Sequence, residues 1–123
     1  MLKPILRGFG CVYDYDEMTV NEVVATRGGN YALGYIDRND GSFVVQYVGR
    51  AKNLNDRLKD TDHLYHKPSY KQFSFRYEDD ERRRYATECR NYHDFGENDH
   101  LDNKIHPAKP DESGRFFCPV CGQ

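Results

Sequence analysis

The chain has 123 residues and a formal net charge of −2, and 31% of its residues are charged. A chain of this length forms one domain that buries about two thirds of the surface its unfolded chain would expose, so neither a metal nor a disulfide is required for folding. The charge excludes a protein that coats nucleic acid indiscriminately, because that property needs a large basic excess.

The N-terminal sequence MLKPILRGFGCVYDYDE contains no export signal, because acidic residues follow its short apolar patch and no small-residue cleavage site is present. No apolar run approaches the roughly 20 residues that span a bilayer. We therefore expect an intracellular, cytoplasmic protein without a membrane partner. Residues 1–26 show no sustained period and are expected to be an extension packed on the domain.

Two strand-like runs flank a cluster of turn residues. Residues 30–36 and 43–48 are rich in tyrosine and aliphatic side chains, and DRNDG lies between them. Five-residue loops are common in β-hairpins, so an antiparallel hairpin is predicted. A loop at 37–41 puts Tyr31 opposite Tyr47 on one face of the sheet, either as one site built by two strands or as an ordinary aromatic pair.

A short helix is predicted in NLNDRLKD, with Asn53 as the N-cap and Asp56 at the third helical position. Leu54 and Leu58 mark its inner face. Arg57 lies close to that face, where a guanidinium needs an anion. Either a salt bridge within the chain or a bound ligand supplies it.

A third strand and a longer helix follow a loop. Residues 71–77, KQFSFRY, alternate in polarity and predict a strand with its aromatic side chains inward. The acidic run at 78–81 suits a helix N-terminus, and the helix is predicted to continue to about Phe95, before Gly96. The predicted order is therefore β-β-α-β-α, in an α/β (α+β) fold.

One stripe of that helix combines carboxylates with aromatic residues. Glu81, Tyr85, Glu88 and Tyr92 follow one another at spacings of four, three and four residues. Burying a carboxylate among aromatic side chains is costly unless a cation or a metal ion meets it. Glu88 is therefore the most informative acid, and either a salt bridge to Arg57 or a metal ion accounts for it.

Together these residues resemble the GIY-YIG nuclease family. The matching blocks are GNY at 29–31, YVG at 47–49, GRAKNLNDR at 49–57, Glu88 in ATECRNYHDFG and Asn103 in LDNKIHP. The resemblance implies a three-stranded antiparallel sheet flanked by helices, and hydrolysis of phosphodiester bonds in DNA with one divalent metal ion. Residues 27–107 would form this nuclease domain, and 108–123 a C-terminal tail.

The resemblance also implies a role for each site residue. Glu88 would hold Mg²⁺ or Mn²⁺, as a hard oxygen ligand should. Arg57 would bind the scissile phosphate. Tyr31 is the expected base, and Tyr47 would position the attacking water or share that role. Because a phenol has a pKa of about 10, the cationic field of Arg57, Lys52 and the metal would have to favour the phenolate.

Lys52 and Arg50 are expected to bind phosphate. Three further residues are expected to support the site, namely Gly49, His63 and Asn103. Asn30 stands where the family usually has an aliphatic residue. Thr61 stands where some members have a histidine. His63, two positions further on, is either a substitute for that histidine or an exposed loop residue.

The tail sequence FFCPVCGQ supplies half of a tetrahedral zinc site at Cys118 and Cys121, unless both are free thiols. A second chain could complete the site, as could residues of this chain, namely Cys11, Cys89, His93 or His106. The rival hypothesis to a nuclease is a non-catalytic nucleic-acid-binding or interaction module with a zinc-organised tail.

Overall fold

The computed structural model of the chain describes residues 11–60, 70–103, 106–108 and 117–122. Its elements are β1 (Tyr13–Asp14), α1 (Glu17–Val23), β2 (Gly29–Ile36), β3 (Phe43–Ala51), α2 (Leu54–Leu58), β4 (Gln72–Tyr77), α3 (Glu81–Asp94) and α4 (Glu97–His100). The fold is mixed α+β, with an open antiparallel sheet in the order β1-β4-β2-β3. Within the described residues, no helix has both the length and the apolar character needed to cross a membrane.

The sheet has four strands, one more than the three predicted. The added strand, β1, pairs Tyr13 with Phe73 and Asp14 with Gln72 along the outer edge of β4. Two residues are too few to establish a period of two in a sequence, so the pattern contained no sign of this strand.

The described part of the N-terminal segment braces α2. The hydroxyl of Tyr15 donates to the carbonyl of Leu58 at 2.6 Å. Asn55 of α2 donates in return to the carbonyl of Val24, at 2.8 Å. These bonds fix the orientation of the helix that carries Arg57.

The hairpin of β2 and β3 forms, but the predicted register was wrong. Tyr31 pairs with Gly49, and Leu33 pairs with Tyr47. Two differences produce the shift. The turn contains six residues, 37–42, because Ile36 pairs with Phe43. A bulge beside Leu33 then adds one more residue to β3.

The prediction that Tyr31 and Tyr47 share one face is nevertheless correct. A register slip of one residue moves side chains to the opposite face, and a second slip moves them back. The turn and the bulge contribute one slip each. The two tyrosines are therefore diagonal neighbours on one face instead of direct partners.

The sheet is covered on both faces. The face of Tyr31 and Leu33 packs with α1 and α2 around a core that includes Val20, Leu54 and Leu58. The other face packs against α3 and the residues after it, through a second cluster that consists of Ala32, Val45, Val48, Tyr92, Phe95 and Leu101. β3 ends the sheet on one side, so side chains from both layers can meet around its edge.

The helices that carry the candidate site begin and end as predicted. The side chain of Asn53 caps α2 by accepting from the amide of Asp56 at 3.2 Å. Asp80 caps α3 in the same way, accepting from the amide of Arg83 at 2.9 Å. Gly96, with φ of 98°, follows the C-terminal end of α3 in the left-handed conformation that glycine favours.

Candidate functional site

A cleft of about 510 Å³ lies around the edge of β3. Seven residues singled out in the sequence line it, namely Tyr31, Tyr47, Gly49, Arg50, Lys52, Arg57 and Glu88. They come from β2, β3, α2, α3 and the turn between β3 and α2. The fold thus brings together, on one concave surface, residues that are far apart in the chain.

The two tyrosines form a stacked pair at the base of the cleft. Their ring centroids are 6.2 Å apart and the rings are inclined at 22°. Tyr31 is buried and its ring lies directly over Gly49. A Cβ atom at position 49 would lie 2.4 Å from both the hydroxyl oxygen and Cζ of Tyr31. The glycine is therefore needed for close approach and not for an unusual backbone angle.

Burial controls the protonation of both tyrosines. Desolvation raises the pKa of Tyr31 well above 10, and the neighbouring Tyr47 raises it further. Arg57 lowers the pKa through its charge and a hydrogen bond, but burial outweighs it. The pKa of Tyr47 is also raised, again mainly by burial and against the effect of Arg57. Both side chains are thus phenols, and Arg57 alone does not produce the phenolate expected of a base.

Arg57 lies near the C-terminal end of the short helix α2 and is only partly buried. Its Nη1 lies 3.3 Å from Oδ2 of Asp60, with 38% and 37% of the two side chains exposed. The alternative in which Arg57 pairs with Glu88 was wrong, because the ion pair of Glu88 is formed with Arg50. Arg57 instead lies beside the tyrosine hydroxyls.

Arg50 holds Glu88 on the opposite side of the cleft. Its Nη1 donates to Oε1 of Glu88, and its Nη2 donates to the carbonyl of Ala108 at 2.6 Å. Its guanidinium also lies 5.3 Å from the ring centroid of Tyr85. Desolvation raises the pKa of Glu88 even though Arg50 lowers it. Arg50, expected to contact phosphate, is thus engaged by the carboxylate in this structure.

Two further charged residues line the cleft and were missed as site residues in the sequence. Arg84 is buried, and its Nη1 donates to the carbonyls of Glu78 and Asp79, each at 2.9 Å. Glu81 lies one turn earlier on α3. The sequence could have indicated them, because Glu81, Arg84 and Glu88 follow one another at spacings of three and four and so share one face of a helix.

The donor set of the cleft suits a cation that retains much of its water. Among the described residues, the cleft contains no group of three or more histidine, cysteine or acidic ligands. Mg²⁺ is commonly bound through one or two carboxylates, with waters and substrate phosphates completing its octahedron. The cleft offers two carboxylates, Glu81 and Glu88.

Asn103 lies next to the cleft and closes the edge of β3. Its side-chain amide donates to the carbonyl of Val48 at 2.8 Å, and its Oδ1 accepts from the amide of Val48 at 3.0 Å. The amide of Asp102 donates to the carbonyl of Gln46 at 2.6 Å. Asp102 and Asn103 thus satisfy backbone groups of Gln46 and Val48 that a neighbouring strand would otherwise bond, and the cleft begins at the next residue, Gly49.

Asn30 has a comparable bracing role on the other side of the sheet. It is fully buried, and its amide donates to the carbonyl of Arg84 at 2.9 Å. An aliphatic residue could not make this bond between β2 and α3. His63 and Thr61 lie outside the described residues.

A second group of chemically active side chains lies beyond the cleft. The ligand atoms of His93, His106, Cys118 and Cys121 all lie within 4.8 Å of one another, so this group can hold a metal ion. Although desolvation opposes it, hydrogen bonds from the Cys121 and Val120 amides and from His106 lower the pKa of Cys118 to about 5. The thiolate is the form that binds metals.

The two other cysteines considered as ligands do not belong to this group. Cys89 is buried and packs with Tyr85 and Cys118, and Cys11 is exposed. None of the four cysteines forms a disulfide.

No protein-family model matches the chain, and neither a curated protein nor a solved structure matches it. The resemblance to GIY-YIG nucleases is carried by the motif residues themselves, seven of which line the cleft.

Proposed function

We propose that the chain is a metal-dependent endonuclease of GIY-YIG type, which hydrolyses phosphodiester bonds in DNA. The observation that carries this proposal is the convergence of the motif residues on one cleft, from elements on both layers of the fold. An aromatic pair that served only packing would not need an arginine, a lysine and a buried carboxylate around it.

The charge of the cleft suits a polyanion although the chain is acidic overall. Four cationic side chains line it, Arg50, Lys52, Arg57 and Arg84, against two carboxylates, Glu81 and Glu88. A local cationic surface of this kind concentrates nucleic acid without a basic excess in the whole chain. Lys52 is exposed and is the residue best placed to meet the DNA backbone first.

Arg57 is the proposed ligand of the scissile phosphate. Its pair with Asp60 is partly exposed, and such pairs are worth about 0–1 kcal/mol, so a phosphate can displace the carboxylate at little cost. The planar guanidinium then gives two parallel hydrogen bonds to the phosphate and stabilises the charge that develops during attack.

Glu88 is the proposed ligand of Mg²⁺ or Mn²⁺. Such an ion, when bound, polarises the phosphate and lowers the pKa of its water. A second phosphate oxygen that binds Arg50 would release Oε1 of Glu88 from its ion pair. The two tyrosine hydroxyls lie beside Arg57 and would orient the attacking water. Tyr31 is the proposed proton acceptor, a role open only to its phenolate, which Arg57, Lys52 and a bound metal ion together would have to favour over the effect of burial.

The group of two histidines and two cysteines would hold a different metal, zinc, whether or not the chain cuts DNA. Thiolates and imidazoles favour zinc, whereas carboxylates favour Mg²⁺ or Mn²⁺.

A non-catalytic DNA-binding module is the second candidate. It is favoured by the ion pair between Arg50 and Glu88, which satisfies the carboxylate without a metal, and by the raised pKa of Tyr31. In that case the cleft would bind DNA and leave it intact.

Cleavage assays separate the two candidates. The full chain is incubated with duplex, nicked, flapped and branched DNA in the presence of Mg²⁺ or Mn²⁺, alongside Glu88→Gln. This substitution keeps the size of the side chain and removes the charge that a hard cation needs. Glu22→Gln, an exposed change on α1, is the matched control.

We expect cutting by the unmodified chain and by Glu22→Gln, and background cutting by Glu88→Gln with DNA binding retained. Thermal unfolding of each variant distinguishes a lost site from a lost fold, because Glu88→Gln also leaves Arg50 without its anion. DNA binding without cleavage by the unmodified chain on every substrate would establish the binding module instead. Equal cutting of all four substrates would exclude recognition of DNA structure.

A further inference from the structure

Four potential metal ligands meet where the C-terminal half of α3 packs against the tail. His93 belongs to α3, whereas His106, Cys118 and Cys121 come from segments beyond α4. Their ligand atoms lie within 4.8 Å of one another. The sequence offered the two cysteines as half of a site, with Cys11, Cys89, His93, His106 or a second chain to complete it, and the fold brings the two histidines to the cysteines.

Both histidines are oriented so that Nε2 faces the other ligands of the group. Nδ1 of His93 contacts Oε2 of Glu97, and Nδ1 of His106 lies 3.0 Å from the carbonyl of Pro107. Because a carboxylate and a carbonyl can only accept, each Nδ1 carries the proton. Metal-binding histidines in proteins are held in this way, by a hydrogen bond from the other ring nitrogen.

Nε2 of His93 is buried and has no hydrogen-bond partner among the described residues. The side chain is 13% exposed, so water does not readily satisfy this atom. A buried nitrogen lone pair without a partner is costly. A metal ion at the centre of the group would satisfy it.

The separation of one ligand pair matches a tetrahedral zinc site. Zn–S and Zn–N bonds of about 2.3 and 2.0–2.1 Å at the tetrahedral angle place sulfur and nitrogen about 3.6 Å apart. Sγ of Cys121 lies 3.5 Å from Nε2 of His106. This pair therefore needs almost no movement to bind the same ion, and the other ligand atoms, all within 4.8 Å of one another, need to close by no more than about 1 Å.

The backbone between the cysteines has the form that lets both sulfurs face one point. The amide of Gly122 donates to the carbonyl of Cys118 at 2.9 Å, which closes a tight turn. Gly122 has φ of 75°, a value that other residues rarely adopt. The amides of Val120 and Cys121 also hydrogen-bond to the sulfur of Cys118.

We propose that His93, His106, Cys118 and Cys121 bind one Zn²⁺ in a closed tetrahedral site. Two thiolates and two imidazoles are a donor set that favours zinc over Mg²⁺ or Ca²⁺. With four protein ligands no coordination position remains for a reacting water, so the ion is structural. This inference does not depend on the nuclease activity.

The site fastens the tail to the helix that carries Glu88. His106 is also two residues before Ala108, whose carbonyl accepts the hydrogen bond from Nη2 of Arg50 at 2.6 Å. Ala108 lines the cleft. Zinc binding thus fixes one wall of the cleft as well as the tail, and its loss would loosen both.

Metal content tests the site without any DNA. The full chain is produced without a polyhistidine tag in zinc-supplemented medium, and zinc is measured per chain by elemental analysis. Near-stoichiometric zinc is expected. Cys121→Ser is the test variant and Cys11→Ser the matched control, because both cysteines are exposed and only Cys121 belongs to the group.

Zinc affinity is then measured by competition with a chromophoric chelator. Loss of a partner that only orients a ligand costs roughly 10–100-fold in affinity, so Glu97→Gln should lose about that much and Cys121→Ser more. Cys11→Ser should bind as the unmodified chain does. Cobalt(II) provides a readout that is independent of stability, because tetrahedral thiolate coordination gives intense visible absorption.

The unmodified chain should show that absorption, and removal of zinc should lower its thermal stability, with recovery on readdition. A chain that neither contains zinc nor takes up cobalt(II) would overturn the proposal. Equal zinc affinity of Cys121→Ser and Cys11→Ser would overturn it as well, whatever the result of the cleavage assays.

Discussion

Replacing Gly49 by alanine tests how the cleft is built. Gly49 pairs directly with Tyr31 across the hairpin, and the tyrosine ring lies over the glycine. A Cβ atom there would lie 2.4 Å from two atoms of the side chain and 2.7 Å from a third. Unstrained carbon contacts are about 3.5–4.0 Å, so the ring must move by about 1 Å or more.

The expected cost follows from that displacement. Overpacking of a buried site typically costs about 1–3 kcal/mol, which corresponds to a fall in Tm of about 4–12 °C for a chain of this size. A reacting group displaced by about 1 Å lowers activity by roughly a hundredfold. The hydroxyl of Tyr31 is one of the atoms displaced, so activity should fall by more than the loss of folded protein explains.

The assay compares Gly49→Ala with Gly41→Ala in thermal unfolding and in DNA cleavage below the Tm of both. Gly41 has φ of 73°, and no atom of the described residues lies within 4 Å of the position that its Cβ would occupy. Its substitution therefore costs about 1 kcal/mol through the backbone alone and should leave cleavage unchanged. Gly49→Ala with the Tm and the cleavage rate of the unmodified chain would refute the reasoning, as would equal loss of cleavage in both variants.

Three further predictions concern the site and the fold. Arg57→Ala should lower kcat/KM by the several hundredfold that about 3–4 kcal/mol implies. Its partly exposed pair with Asp60 adds little to stability, and the loss of its hydrogen bond to the buried Tyr31 hydroxyl should cost about 1–3 kcal/mol; a larger loss of stability with cleavage intact would make Arg57 structural. Tyr31→Phe should abolish cleavage and preserve Tm, since the ring stacking remains, and a variant that still cuts would show that the hydroxyl is not the base. Asp16 caps α1 by accepting a hydrogen bond from the amide of Thr19, which lowers the pKa of Asp16 below 3.8. The cap therefore stabilises the fold above pH 3.8, the pKa in the unfolded chain, and this stabilisation is lost as the pH falls through the lower pKa of the folded chain. Asp16→Asn, which keeps the acceptor but does not titrate, should show a flatter Tm against pH below 4, and an unchanged profile would contradict this.

The regular elements of the central region followed from local sequence signals. Turn residues, the cap at Asn53 and the glycine at 96 mark where strands and helices begin and end, and each depends on only a few neighbouring residues. The seven cleft residues were named from the resemblance of their motifs to a family, and the fold places them around one cleft, while their roles stay predictions.

Interactions between distant segments were not foreseen. The ion pair of Glu88 with Arg50 instead of Arg57 depends on which face of β3 Arg50 occupies, and on where α2 places Arg57 relative to α3. His93 and His106 were named as possible ligands, but the choice between them and Cys11 or Cys89 depends on how the tail returns to α3. Neither is encoded in a local period, since both arise from the packing of one layer against another.

The register also explains why a glycine lies two residues after Tyr47. In the predicted hairpin the two tyrosines would face each other, and Gly49 would lie beyond them, where a larger side chain would also fit. The bulge beside Leu33 and the longer turn together shift Tyr31 by two residues, so its ring lies over position 49. Only a residue without a side chain leaves room there, and the same shift keeps Tyr47 on that face, stacked against Tyr31. The spacing of Tyr47 and Gly49 is therefore a consequence of the diagonal packing that puts both hydroxyls beside Arg57.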